Sequence, residues 1–390
     1  MMSGTAAVAL YTPQEEAFRA QVRQFARERF EPLAEQADSP GPLLRQVLRE
    51  LGARGYMGIA FPKDEGGGGQ PFAFEHIASE EFAYCSASLA TARSVSCLFC
   101  GAPIQRFGSR DQKQRFLTPL IRGEALGAIA ISEPGAGSDV GSMRMRAARQ
   151  GDGYVLTGHK TPITNGGHAD TICVFAITDP DAHIHKGMSA FIVPADTPGF
   201  SVAGNLEALG LRGLTHSHLR FQDVAVSRGN LLSQEGDGFR ILTDELAGER
   251  IDIASRALGC ARRLHEDSVR HSATRQQFGR PLRQFEAISF QIADMKVNLE
   301  ASRHLILHAV RLYDAGQPAD RESAAAKLFA TRAAFQIADS ALQIHGRVGY
   351  FQGPVERFFR DVRAFRIAGG TEEMMKFIIQ REEYKAFGYS

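Results

Sequence analysis

The 390-residue chain has no tryptophan, only five cysteines, and a formal net charge of just +1 at pH 7. Each scarcity excludes something. With 45 basic residues against 44 acidic ones, there is no basic excess to attract nucleic acid and no charged tail. An odd cysteine count spread from Cys85 to Cys260 does not form a disulfide framework and points to a reducing cytoplasm. Cys97 and Cys100 make one CxxC inside the apolar run VSCLFCGAP. A metal would need further ligands nearby, so a packed helix face is the expected reading and no metal site is expected. No apolar run approaches the length of a membrane span, and the opening MMSGTAAVALYTPQEEAFRAQVRQF passes directly into a charged amphipathic pattern, unlike a signal peptide. The glycine-rich DEGGGGQP lacks the GK[ST] of a phosphate loop. The remainder, 44% hydrophobic, is an ordinary globular composition with room for two or three domains.

Periodicity divides the chain into three. From residue 1 to about 123 the pattern is helical: EEAFRAQVRQFARERF carries apolar residues at helical spacing, and Thr12 with Pro13 supplies an N-cap and a first-turn proline. From 124 to 234 the period becomes two. GYVLTGHK, DTICVFAIT, MSAFIVP and HSHLRFQDVAV are short segments punctuated by Gly, Asp, Pro and Asn, which predicts an antiparallel β-sandwich or barrel. From 235 to 390 helical periodicity returns, and EAISFQIADMKVNLEASRHLILHAVRLYDAG predicts a helical bundle with short connections. The order of helices, strands and helices gives an α+β chain of three regions, not a doubly wound parallel sheet.

One acid breaks the pattern. Wound as a helix, DELAGERIDIASRALG puts Leu242, Leu246, Ile253, Ala257, Cys260 and Leu264 on one stripe, and Glu249 falls within roughly 20° of Leu242. Its neighbours three and four positions away are Leu246, Glu245, Asp252 and Ile253, so no base within that spacing can pair with it. Three further stretches carry groups suited to a ligand. AISEPGAGSD, Ala130 to Asp139, is a strand-like run ending in a turn of small residues, with Ser132, Ser138 and Asp139 adding hydroxyl and carboxylate groups. In TRQQFGRPL, Arg275 offers a forked guanidinium to a phosphate and Phe278 a ring to stack. In RFFRDVRAFRIAGGTEEMMK, Gly369 and Gly370 precede Thr371, which can cap a new helix with Glu372 and Glu373 in its first turn.

Taken together, these stretches resemble the acyl-CoA dehydrogenase family over nearly the whole chain. ISEPGAGSD is similar to the family's TEPGAGSD, ITNGG to its second flavin strand, RQQFG to its pyrophosphate arginine segment, QIHGRVGY to Q-x-x-G-G-x-G-Y, and RDVRAFRIAGGTEE to the segment ending in E-G-T. The resemblance implies FAD bound at subunit interfaces of a homotetramer, a dimer of dimers, with an acyl-CoA substrate and electron-transfer flavoprotein as acceptor. Ile131, Ser132, Gly137, Ser138, Ile163 and Thr164 match positions that contact the flavin and its ribityl-phosphate arm. Arg275, Phe278, Gln343, Gly346, Thr371 and Glu373 match positions holding the rest of the cofactor, some across the interface. Ser138, Arg250 and Gly370 match positions at the CoA thioester, and helix residues Thr91, Val95 and Phe99 match the lining of the acyl-tail pocket.

The family reaction takes the α-proton of an acyl thioester while a hydride leaves the β-carbon for the flavin, so a base is needed beside the α-carbon. Most relatives use the glutamate of E-G-T, and here that position is Gly369. A minority, including isovaleryl-CoA and long-chain acyl-CoA dehydrogenases, place the glutamate on a helix before an arginine, as in L-x-x-E-R, and Glu249-Arg250 fits that pattern. The resemblance thus makes Glu249 the base and leaves the backbone N–H of Gly369 as donor to the thioester oxygen. Burial, with Glu245 one turn back as a like charge, is expected to raise the pKa of Glu249. Two other readings of the same scaffold are a dehydrogenase of carrier-protein-bound acyl or aminoacyl thioesters and a flavin-binding protein without dehydrogenase activity.

Four positions depart from the family pattern: Pro162 stands where M-W-I-T-N has tryptophan, Arg347 replaces the second glycine of Q-x-x-G-G, Glu286 replaces a common glutamine, and Ala247 replaces a substrate-contacting aspartate. A ring that covers part of the flavin in relatives is absent, so reduced protein is expected to reoxidise in O₂ faster than a tryptophan-bearing relative. Stopped-flow mixing of anaerobically reduced protein with oxygen measures this, and slow decay contradicts it.

Overall fold

The first helix begins where Thr12 and Pro13 place it. In the computed structural model, which describes residues 10–389, α1 spans Pro13–Arg29 and opens on a capping box. The Glu15 N–H donates to Thr12 Oγ1 at 3.2 Å and the Thr12 N–H donates to the Glu15 carboxylate at 2.8 Å. Residues 1–9, where the signal-peptide question arose, and Ser390 lie outside the described residues. Helix α2, Leu43–Ala53, buries Leu44, Val47, Leu48 and Leu51 at helical spacing. Helix α3, Phe72–Cys85, is buried on every side, and its N-terminus is capped from a distance by Asp314, which accepts the N–H groups of Phe72 and Ala73 at 2.5 and 3.1 Å.

Helix α4, Ala87–Ser94, continues through a π-helical turn, Val95–Gly101, into α5, Ala102–Phe107. This run corrects one expectation: Ala87–Phe107 has 21 residues and a mean hydropathy of 1.2, long and apolar enough to cross a membrane. Within the fold 94% of that apolar window is buried, so protein, not lipid, surrounds it. Cys97 and Cys100 pack inside the same run, with Cys97 Sγ 3.6 Å from Met57 Sδ.

The period-two region forms one eight-stranded sheet. Its strands are β1 Gly127–Ala130, β2 Arg146–Gln150, β3 Gly153–Thr164, β4 Thr171–Ile177, β5 Met188–Pro194, β6 Phe200–Asn205, β7 His216–Ser227 and β8 Leu231–Leu232. They lie in the order β6-β7-β3-β2-β4-β5-β8, with β1 beside β4. Pairing is mostly antiparallel, as the short punctuated strands predict, but β1 runs parallel to β4 and β2 touches β4 in parallel. The reason is connection: β1 arrives from the helices and not through a hairpin, so nothing forces reversal. Alternation along β4 sends Cys173, Phe175 and Ile177 to a core shared with helices, and Ile172, Val174 and Ala176 to a core that the curled sheet encloses with Leu156, Phe191 and Leu219. That two-sided burial is why β4 reads as a continuous apolar run.

After the sheet come α6 Gly238–Asp244, α7 Leu246–Thr274, α8 Glu286–Asp314, α9 Asp320–His345, α10 Pro354–Phe365 and α11 Glu372–Ala386. A small hairpin, β9 Gln276–Gln277 with β10 Arg280–Pro281, joins α7 to α8. The helix assumed to run unbroken from Leu242 is interrupted at Glu245. Thr243 Oγ1 donates back to the carbonyls of Phe239 and Arg240 at 3.0 and 3.2 Å, which competes with the backbone ladder there. Beyond the break the predicted stripe holds, since Ile253, Ala257, Cys260 and Leu264 are all buried.

A buried charge cluster ties α1, α3, α7 and α8 together. Glu80 is fully enclosed and meets Arg19 at 3.1 Å, Arg303 at 3.1 Å and Arg262 at 3.4 Å, and these guanidinium charges hold its carboxyl well below the usual range against the opposing effect of burial. Removing that charge leaves buried arginines under-paired. Glu80→Gln is therefore expected to lower the unfolding free energy by about 3–5 kcal/mol in urea titrations; an unchanged midpoint contradicts the linking role.

Candidate functional site

Glu249 sits in the first turn of α7, half-buried, its residual exposure facing a cavity of about 270 Å³. Phe61, Leu98, Phe99, Phe175 and Leu242 line the same cavity. Burial pushes the Glu249 carboxyl up to about 7, while the charges of Lys327, Arg250 and Arg256 pull the other way and Asp252 adds to the rise. Glu245, one turn back, is also coupled to Glu249 as a like charge, and Arg106 meets it at 3.3 Å. Glu245 is itself raised to about 7, chiefly by burial.

The cations come from places that spacing along one helix does not reveal. Lys327, on α9, is buried, and burial lowers its ammonium to about 8 against the opposing charge of Glu249. Its Nζ donates to the carbonyl of Gly370. A signal for Lys327 existed in SAAAKLFAT: it lies on the stripe of Ala324, Thr331 and Ala334, the same kind of intrusion that marked Glu249.

Gly369 and Gly370 form the turn between α10 and α11 at φ +62° and +91°, a region that favours glycine. A Cβ at Gly369 would overlap Ile253 Cδ1 and stand 3.9 Å from Glu249 Cδ. Side chains at 249 and 369 therefore address the same small space. Thr371 caps α11 by accepting the Met374 N–H at 3.4 Å. Glu372, buried between Arg366 and Arg332, is held down to about 2 by hydrogen bonds to those two guanidinium groups and pins the turn. Glu373 is exposed beside it.

The loop from Ile131 to Asp139 is supported from below. Lys160 Nζ donates to the Ile131 carbonyl at 2.7 Å and to Glu133 at 2.9 Å, and the Thr161 N–H donates to the Ser132 carbonyl at 2.9 Å. Glu133 also accepts the N–H groups of Arg144 and Met145. The outer side is open: nothing lies within 4 Å of a Cβ built on Gly135 or Gly137, and Gly137 and Ser138 are exposed. Register between β3 and β7 shifts between Lys160 and Ile163, leaving Pro162 exposed at the bulge. Ile163 is buried, so it offers the loop its backbone and not its side chain. Thr164 Oγ1 lies 3.4 Å from His216 Nδ1, and the buried Nε2 of His216 has no partner among the described residues.

Arg275, Phe278, Gln343 and Gly346 fall elsewhere. Arg275 follows Glu249 by 26 positions at the far end of α7, roughly 39 Å along a helix rising 1.5 Å per residue. Phe278 is 93% exposed at the hairpin tip. Gln343 and Gly346 line an open surface pocket with Arg347 and Tyr350, and stacked His271 and His345, 4.4 Å between centroids, join the ends of α7 and α9. The matched positions thus fall into two separated groups on one chain. Arg250 is buried and engaged with Asp320 at 3.0 Å, with its Nε left unpartnered. Of the three residues expected around an acyl tail, Phe99 lines the cavity, whereas Thr91 and Val95 are buried away from it. Arg256 Nη1 donates to Thr91 Oγ1 at 2.7 Å.

A carboxyl poised near neutral pH, a cavity beside it walled in part by Phe61, Leu98, Phe99 and Phe175, and a glycine backbone facing it make an arrangement suited to removing a proton from carbon. Comparison with known proteins agrees in kind. The acyl-CoA dehydrogenase N-terminal, middle and C-terminal domains match residues 12–124, 128–224 and 236–383. The chain is similar to an acyl-CoA dehydrogenase of Bacillus subtilis, 40% identical over 95% of this chain and 98% of the relative. It is similar in structure to butyryl-CoA dehydrogenase from Megasphaera elsdenii, with TM-score 0.91 and 35% identity over 95% of this chain and 98% of that one. It is also similar to a chain solved in work on the electron transferring flavoprotein of Acidaminococcus fermentans, with TM-score 0.92 and 34% identity over 98% and 99% of the two chains.

The crowding at Gly369 is testable by itself. Gly369→Ala must keep a positive φ and displace Ile253, so thermal denaturation should show a loss of about 1–3 kcal/mol. A variant as stable as the parent contradicts the close approach.

Proposed function

The chain belongs to the acyl-CoA dehydrogenase family, and on that premise we propose that it converts an acyl-CoA thioester to the trans-2-enoyl thioester with Glu249 as the base. The carrying observation is the placement of Glu249: its carboxyl, raised to about 7 by burial, borders a cavity lined by both apolar and polar side chains and stands opposite Gly369. A carboxylate with that affinity for protons can accept one from a carbon acidified by a neighbouring thioester. The backbone N–H of Gly369 is the donor we assign to the thioester oxygen, where negative charge gathers as the α-proton leaves. Lys327 holds the Gly370 carbonyl and so keeps this turn against α9.

The residues present fit FAD. Open space above Gly135 and Gly137 and the exposed Ser138 leave backbone and polar groups turned toward a ligand. Ile131, Ser132, Gly137, Ser138, Ile163 and Thr164 would hold the ring and its arm, with Thr371 and Glu373 holding another part of the cofactor and Gly370 near the thioester. FAD, when bound, supplies an oxidising ring that takes up the hydride from the β-carbon. Arg275, Phe278, Gln343 and Gly346 would serve the cofactor of a second copy, because roughly 39 Å of helix separates Arg275 from Glu249. That division supports a homo-oligomer in which each site draws on two chains. Ser138 and Arg250 would meet the CoA arm. Electron-transfer flavoprotein is the acceptor we assign, supported by the likeness to the Acidaminococcus fermentans chain.

Anaerobic titration with saturated acyl-CoAs should bleach the flavin of the parent protein, while Glu249→Gln should lose about 10³-fold in rate with its flavin retained. The base works ionised, so kcat/KM should rise with pH up to about 7 and level above it, and this limb should vanish in the variant. Retained turnover in Glu249→Gln removes the assignment. Acyl-carrier-protein substrates offered in parallel distinguish a carrier-protein enzyme.

A further inference from the structure

Two turns beyond Glu249, on the same face of α7, lies a buried ion pair with no part in holding the helices at the surface. Asp252 is fully buried and Arg256 is 2% exposed. Arg256 Nε and Nη2 both reach one Asp252 oxygen at 2.8 Å, and Ser79 and Ser94 donate to the other at 2.6 and 2.9 Å. Arg256 Nη1 donates to Thr91 Oγ1 on α4. The guanidinium also lies over two rings, 5.8 Å from the centre of Phe99 and 5.2 Å from that of Phe365. Phe99 lines the cavity beside Glu249, so Arg256 stands directly behind the cavity wall. Thr91 and Val95, which share the Phe99 face of this run, are sealed off.

We propose that the Asp252–Arg256 pair is the floor of the acyl pocket and confines the enzyme to short acyl chains. The inference rests on the reading of Glu249 as the base at the α-carbon. Seven positions of helix separate Glu249 from Arg256, about 10.5 Å, and a helical side chain leans back toward the N-terminus, which leaves room for roughly four to six carbons. A longer tail would have to displace a guanidinium held by a carboxylate, a hydroxyl and two rings. The pair is a stiff stop for the same reason that it is costly to disturb: removing either partner strands a buried charge. An apolar side chain in its place would yield by changing rotamer.

The test compares butyryl-, hexanoyl-, octanoyl- and dodecanoyl-CoA as reductants of the holoenzyme under anaerobic conditions. The expected result is a fall in kcat/KM of at least about tenfold between the C6 and C12 substrates, the scale on which a closed pocket rejects added methylenes. The double variant Asp252→Ala/Arg256→Ala removes both charges together, so neither is stranded. In it the C8-to-C4 ratio of kcat/KM should rise at least about tenfold, carried by a lower KM for the longer substrate. Asp252→Asn/Arg256→Gln, which removes both charges while keeping most of the volume, serves as the second variant if the first fails to fold, and an unchanged C8-to-C4 ratio in whichever folds overturns the role of the pair. Equal rates for C4 and C12 in the parent overturn the floor and leave the proposed dehydrogenation standing. If no saturated acyl-CoA bleaches the flavin, both fall.

Discussion

Withdrawal of water from one carboxyl group is the constraint on which the site depends. Glu249 could be an ordinary ionised acid at a helix start, where the N-terminal dipole favours negative charge. It is not, because α7 is driven into the centre of the fold by Ile251, Ile253, Ala254 and Ala257, all buried. The carboxyl must follow its backbone inward. Once there it is raised to about 7, and the opposing charges of Lys327, Arg250 and Arg256 keep it from rising further. Burial and counter-charge therefore set the proton affinity between them. The buried charges around it sit on α7 and α9, two helices whose packing is itself apolar.

What the sequence made legible follows from which forces are local. The capping box at Thr12, the cap at Thr371 and the buried stripe of α7 arise from neighbours within a few positions, and reading the period finds them. Glu249 was visible because it breaks such a period. The interruption at Glu245 was not, since the apolar period runs on from Leu242 to Leu246 across the break. The parallel placement of β1 escaped for another reason: strand direction depends on the path taken between strands, not on their residues.

The cations around Glu249 show the limit most clearly. Lys327 is 78 positions from Glu249 in the chain, and only the packing of α9 on α7 makes it a neighbour. Asp252 and Arg256 pair at i, i+4 spacing on α7, but the bond to Thr91 and the contact with the Phe99 ring need the crossing of other helices over α7. The match to the tail-pocket lining named Thr91, Val95 and Phe99 and could not show that a guanidinium from another helix binds Thr91 and lies over Phe99. The loop at Ile131–Asp139 lies between these cases. Its small residues announced close approach, while its rigidity comes from Lys160 beneath it, a buried lysine in a strand.

Lys327 serves two masters. Its ammonium donates to the Gly370 carbonyl, and its charge is the largest of those opposing the rise at Glu249. On the proposed reading, a proton arriving at Glu249 cancels the negative end of that couple, so the lysine that anchors the Gly369–Gly370 turn meets a different charge before and after the transfer.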